Sequence, residues 1–222
     1  MRKKSNFATK NDSSLYVGKL LNEANDKREK VLRTTFDPLE ITECDRRLIY
    51  RIMGEQEKKT NLELICKDFL KKKWVEYFKK INIKVIEKNL VCSDCNYNLV
   101  GNVDIVIQLK GLITIVKVHI VDNQKFLTVM EDGPFKKHII DLMTNIWLSE
   151  TDAGLLIYEN RIDNRFSIFD VNQYDPIIRS VQKKCLNLLT HKTLGKFPVR
   201  SYKNATSFEC EKCEFKEQCR SC

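Results

Sequence analysis

The chain predicts an α/β fold, a mixed central sheet flanked by helices. Two observations carry this. Apolar residues recur first at helical spacing, then at every second position, then at both in turn, giving the order helices, three strands, helix, two strands, helix. The apolar content, 42% of 222 residues, is enough for one sizeable core. A third feature adds a constraint on the ends: one cysteine near the start and a group of cysteines at the finish.

Residues 1–14 are polar and read as a disordered basic N-terminus. Residues 15–222 read as a single domain that closes in a cysteine-bearing segment, 205–222. Leu15 to Arg33 has helical spacing in Leu15, Leu20, Leu21, Ala24 and Val31. Pro38 interrupts the chain. Thr42, with Asp45 three residues on, predicts the start of a helix carrying Cys44, Leu48, Ile49 and Ile52. Leu62 to Lys80 is a longer amphipathic helix.

The texture then changes. Ile83–Val91, Val103–Leu109 and Leu112–Val121 alternate as strands, and Lys110-Gly111 joins the last two as a tight hairpin. Pro134–Ser149 is an apolar helix. Gly154–Tyr158 is a strand of buried type and Arg165–Phe169 another. Tyr174–Leu189 is the last helix, followed by the basic, turn-rich stretch 192–204. There is no internal repeat.

Lys and Arg number 39 against 30 Asp and Glu, a net charge of +9, which favours a polyanionic partner. No apolar run approaches the ~20 residues of a membrane helix, and no apolar segment follows the basic start as in a signal peptide. The expectation is a cytoplasmic protein of a prokaryotic host or a virus-infected cell, with no membrane partner. Nine cysteines in such a reducing compartment are metal ligands and core residues rather than disulfides.

Cys210, Cys213 and Cys219 follow the pattern C-x2-C-x5-C, and Cys44 lies far upstream in Cys44-Asp-Arg-Arg-Leu-Ile-Tyr50. Four thiolates can hold an iron–sulfur cluster or a zinc ion. If Cys44 joins the C-terminal three, the metal clasps the two ends of the domain. Val91-Cys92-Ser-Asp-Cys95 is like one knuckle of a zinc ribbon. Cys92 and Cys95 are therefore either a second metal site, completed by Cys219 and Cys222, or a thiol pair. Cys66 and Cys185 fall on apolar helix faces and read as core.

This order of elements, with these cysteines, resembles the RecB-like branch of the PD-(D/E)XK nuclease superfamily. It is most similar to the CRISPR-associated iron–sulfur exonucleases (the fourth Cas family) and their viral relatives. The resemblance covers roughly residues 36–219. It rests on Cys44 with its basic and aromatic followers, on Phe197-Pro198, and on Cys210, Cys213 and Cys219. It implies a restriction-endonuclease-like core with its termini clasped by a [4Fe–4S] cluster on those four cysteines, zinc being the alternative. Gly101-Asn-Val-Asp104 fits the family's G-x-x-D, and Lys117 fits the lysine of (D/E)-x-K. The family's acid is Ile115 here. Its Q-x-x-x-Y falls on Asp141 and Asn145. The histidine early in the long helix is missing from Thr60-Asn-Leu-Glu-Leu.

Such nucleases hydrolyse phosphodiesters with Mg²⁺ or Mn²⁺ on carboxylate oxygens. With Ile115 in place of the acid, Asp104 and Lys117 are vestigial, and an apolar side chain faces the ion's place. Asp122, Glu131 and Asp141 are the substitute acids, Asp141 the best placed. The expected function is a degenerate iron–sulfur nuclease-fold protein that binds DNA or a DNA-processing complex. The alternatives are an active Mg- or Mn-dependent exonuclease with a rearranged acid, and an interaction subunit that has lost DNA contact. Lys71–Lys73, Arg46-Arg47, Lys136-Lys137, Lys183-Lys184 and residues 192–203 are candidate phosphate contacts. Tyr97, Phe135 and Tyr202 are candidate stacking platforms for a single strand. His119 and His138 read as ordinary histidines.

Overall fold

A computed structural model describes residues 34–53, 61–200 and 208–221. The expected helix over 15–33, the N-terminus 1–14, Tyr202 and Cys222 lie outside these residues, as does the side chain of Cys66. A 3-10 turn, Glu40–Thr42, precedes α1 (Asp45–Ile52) and α2 (Asn61–Lys80). The strands β1 (Lys84–Asp94), β2 (Leu99–Leu109) and β3 (Leu112–Val121) follow. Next come α3 (Asn123–Asp132), α4 (Lys136–Ser149), β4 (Ala153–Asn160), β5 (Phe166–Val171) and α5 (Asp175–Leu194). The short α6 (Phe208–Glu211) and α7 (Lys216–Ser221) end the described chain. Among the described residues no helix is long and apolar enough to cross a membrane.

The five strands form one mixed sheet in the order β1-β2-β3-β4-β5. β1, β2 and β3 are antiparallel, β3 and β4 are parallel, and β5 returns antiparallel to β4. A parallel neighbour requires a crossover, and α3 with α4 supply it between β3 and β4. Lys110 and Gly111 both take positive φ, 52° and 88°, the backbone that a two-residue hairpin turn demands. β4 is buried along nearly its whole length because helices cover both faces of the sheet.

On one face, Leu142 and Ile146 of α4 and Phe126 and Val129 of α3 pack on Val106, Ile115 and Leu156. On the other, Trp74, Val75 and Phe78 of α2 cover Ile105, Ile107, Val116, Leu155 and Ile157. A third cluster lies outside α4. There Val181, Cys185 and Leu188 of α5 meet Leu48, Ile49 and Ile52 of α1. Cys185 is fully buried, as expected of a core cysteine. α4 sits close on the sheet because Gly154 has no side chain; a Cβ there would stand 2.8 Å from Leu142.

Two expectations are corrected here. Thr42 does not cap α1. It ends the 3-10 turn, and Cys44 takes the N-cap position with extended backbone and no side-chain cap bond. A helix before Pro134 is missing from the sequence reading. Asp122 caps α3 by accepting from Lys125 N, and Gly133 ends it at φ 86°, so cap and stop were both present in the sequence.

Candidate functional site

β2 and β3 pair from Leu109 and Leu112 as far as Ile105 and Val116, and then their ladder ends. Asp104 stands at that point. Its Oδ2 accepts from Val118 N at 3.0 Å, and its Oδ1 lies 3.2 Å from Lys71 Nζ of α2. Thus the strand acid bonds to nearby backbone and is neutralised by a lysine read from sequence as a phosphate contact.

Lys117, next along β3, turns to α4. Its Nζ lies 3.1 Å from Asp141 Oδ1 and 2.9 Å from Oδ2. Asn145, one helical turn on, donates Nδ2 to both Asp141 O and Oδ1 at 2.8 Å. Gly101 of β2 lies directly beneath Asn145, whose Oδ1 a Cβ there would strike. Asp141 is 1% exposed. Burial lifts its carboxyl above the ordinary range, against the pull of Lys117. At Lys117 burial works the other way, but Asp141 and Asp104 outweigh it and hold the ammonium above its ordinary value.

Ile115 is fully buried among Val106, Leu142 and Ile146, in register with Val106. Its side chain therefore belongs to the core, and no carboxylate stands at that position. Each remaining acid is paired with a lysine, Asp104 with Lys71 and Asp141 with Lys117. Of the other acids considered, Asp122 is the α3 cap and Glu131 is exposed.

Beside this pair, the rings of His119 and His138 stack with centroids 3.7 Å apart and planes 1° from parallel. The Tyr158 hydroxyl accepts from Phe135 N at 3.1 Å and lies 2.7 Å from His138 Nδ1. Burial, with the nearby Lys137 and Lys117, pushes His138 down to about 4. Burial pushes Tyr158 up to about 12. Sequence reading missed this stacked group because its members sit on β3, α4 and β4, which only the fold brings together.

The second candidate lies where the two ends of the chain meet. Cys44, Cys210, Cys213 and Cys219 all line one cavity of about 140 Å³. Arg46 Nη1 lies 3.5 Å from Cys219 Sγ and 3.4 Å from its carbonyl oxygen, and Arg200 Nη2 donates to the same carbonyl at 2.8 Å. Burial pushes the Cys213 thiol up, and the neighbouring Glu214 and Cys44 add to this. The cysteines are free thiols. Among the described residues, no three His, Cys, Asp or Glu side chains are grouped to hold a single metal ion. Four soft donors around one cavity, with Arg46, Arg47 and Lys216 also in its wall, fit a thiolate-ligated centre in donor chemistry.

The contacts around this cavity do not all depend on the cysteines. Glu214 takes Arg47 Nη2 at 2.6 Å and Arg51 Nη2 at 2.9 Å, and Arg51 also holds Glu43 at 2.8 Å. Tyr50 stacks between Phe197 and Phe215. Sequence gives no sign of the two Glu214 pairs, whose members are 167 and 163 residues apart.

Cys92 and Cys95 are not brought to this cavity. Cys92 ends up in the main core, its Sγ 3.7 Å from Gly101 O and from Asn145 Oδ1, and burial raises its thiol to about 11. Cys95 is exposed in the turn after β1. β1 runs on through Cys92, so the expected knuckle is half strand. The aromatic residues expected to share one groove are also separated. Tyr97 packs edge-on against Trp147 in the last turn of α4, whereas Phe135 packs on His138 and Tyr158 at its start. The two ends of that helix are about 20 Å apart.

No family model and no curated sequence matches this chain. The fold, however, is similar to solved structures. The alkaline exonuclease LHK-Exo from Laribacter hongkongensis superposes with a TM-score of 0.58 at 10% identity, over 73% of this chain and 89% of that one. Its complex with dAMP gives 0.59 at 10% identity over the same shares. SSO0001 gives 0.50 at 18% identity over 92% of this chain and 93% of its own. The five-stranded mixed sheet flanked by helices is thus shared in outline with these structures and is consistent with a restriction-endonuclease-like fold.

Proposed function

We propose that this protein is a nuclease-fold protein that binds DNA, or a DNA-processing complex, without cutting it. Cys44, Cys210, Cys213 and Cys219 would hold a [4Fe–4S] cluster that closes the domain. The observation that carries the first half is the self-neutralised site. Asp104 is held by Lys71 and the backbone, Asp141 by Lys117, and Ile115 packs in the core. Metal-assisted hydrolysis needs oxygen ligands free to bind a hard cation. DNA binding is supported by the +9 charge and by the similarity to an exonuclease crystallised with dAMP. The cluster is supported by the shared cavity of the four cysteines.

A second reading keeps catalysis. Asp141 and Asp104 both act on Lys117, so a cation displacing that ammonium would meet two carboxylates. Labelled single and double strands, incubated with Mg²⁺ and with Mn²⁺, separate the readings. Intact DNA supports the first; cleavage abolished by Asp141→Ala establishes the second. Binding of the same DNA should weaken steeply with salt. No binding even at low salt leaves an interaction subunit.

A further inference from the structure

Resting on that DNA-binding reading, we propose that the groove between α4, α5 and the 3-10 turn is the seat of a DNA single strand. Its bases would lie on an apolar floor and its phosphates on a lysine rim. The groove is about 560 Å³, within the ~300–1,000 Å³ typical of ligand clefts. Its floor includes Ile140 of α4 and Ile177 and Val181 of α5, and its rim Lys136, Lys137 and Lys184.

α4 divides its residues between two jobs. His138, Asp141 and Asn145 are buried on its sheet side. Lys136 and Lys137 are exposed and line the groove. The ion pairs that hold Lys71, Lys73 and Lys117 have no counterpart at Lys136 or Lys137 among the described residues. Their ammonium groups are available to an outside anion. Lys184 is partly neutralised by Asp45, 2.8 Å away, and donates to Glu43 O at 2.7 Å. It is therefore a fixed wall of the groove rather than a main phosphate contact.

Charge complementarity names the occupant as a polyanion, and the apolar floor narrows it. A duplex offers mainly phosphates to a surface, because its bases are stacked inside. A single strand offers phosphates and exposed base faces together, which matches cations above and aliphatic side chains below.

Fluorescence anisotropy with a short labelled single strand, and with the same strand as duplex, tests this across a salt series. For Lys136→Ala/Lys137→Ala the salt slope for the single strand should fall by about 1.4, or about 0.7 for each of two phosphates. Ile177→Ala should weaken single-strand binding with the slope unchanged. The exposed pair Lys80→Ala/Lys84→Ala, at the end of α2 and the start of β1, serves as control and should leave the slope as in wild type. Wild-type slope in the first variant, or an equal fall in the control, overturns the groove while the DNA-binding reading stands. An equal loss by Ile177→Ala on duplex and single strand overturns the base-on-floor assignment. Wild type that binds no DNA overturns the DNA-binding reading, and the groove with it.

Discussion

Lys117 of β3 and Asp141 of α4, 24 residues apart in the chain, form a buried ion pair at 2.9 Å. Each is the other's main compensating charge. Removing Lys117 leaves Asp141 without its cation, and removing Asp141 leaves Lys117 only the weaker pull of Asp104; breaking such a buried pair typically costs ~3–5 kcal/mol, whereas replacing both by apolar groups is often neutral. Asp141→Asn and Lys117→Met should therefore each lower stability by about that much, and the double variant should recover most of it. Additive losses in urea unfolding would show that the pair is not a unit.

The catalytic prediction follows from the same geometry. Wild type should cut no DNA with Mg²⁺ or Mn²⁺. Ile115→Glu returns a carboxylate, but into a cluster with Val106, Leu142 and Ile146. It should destabilise the fold and restore little turnover, because a buried charge without a partner is costly. Brisk cleavage by this variant would mean that one missing acid is the whole defect.

Anaerobically purified protein should be brown and carry about four irons per chain. Colourless protein with one zinc per chain would rule the cluster out. Cys44→Ala should lose the iron, yet the C-terminal segment should stay docked. The Arg47–Glu214 and Arg51–Glu214 pairs and the Tyr50–Phe215 stack remain. Adding Glu214→Ala should release it. Limited proteolysis after Lys212 or Lys216 reads this directly. Cleavage of Cys44→Ala alone at the rate of the double variant would make the metal the sole clasp.

Gly101→Ala should disturb the site without touching a charge. Its Cβ would strike Asn145 Oδ1 and force off the side chain that holds Asp141. Overpacking of this kind costs ~1–3 kcal/mol. An unchanged melting temperature would show that α4 can move away freely.

His138 gives a pH signature. Its value in the fold, about 4, lies below the ordinary 6.5. A histidine depressed in this way adds stability that is fully present above pH 6.5 and lost as pH falls toward 4, ~3 kcal/mol at the acid end. His119, Tyr158, Lys117 and Lys137 surround the ring. Wild type should lose more stability than His138→Gln between those values. Parallel curves for the two would refute it.

The fold class was legible because it rests on local pattern. Alternation marked β1 to β3, a continuous apolar run marked β4, and helical spacing marked α2, α4 and α5. Lys110-Gly111 set its own hairpin. The four cysteines were legible by spacing, and the fold brings all four to one cavity. The partners of the charges were not legible. Nothing near Lys71 points to Asp104, nor anything near Arg51 to Glu214, and identical lysines serve an ion pair at 71 and a solvent-facing rim at 136. Local sequence fixes backbone periodicity within a few residues, but ion pairs, stacked rings and cavities depend on which elements the sheet order sets side by side. That decision belongs to tertiary packing, because a charge has no periodicity and takes its partner from whichever strand or helix burial brings within reach.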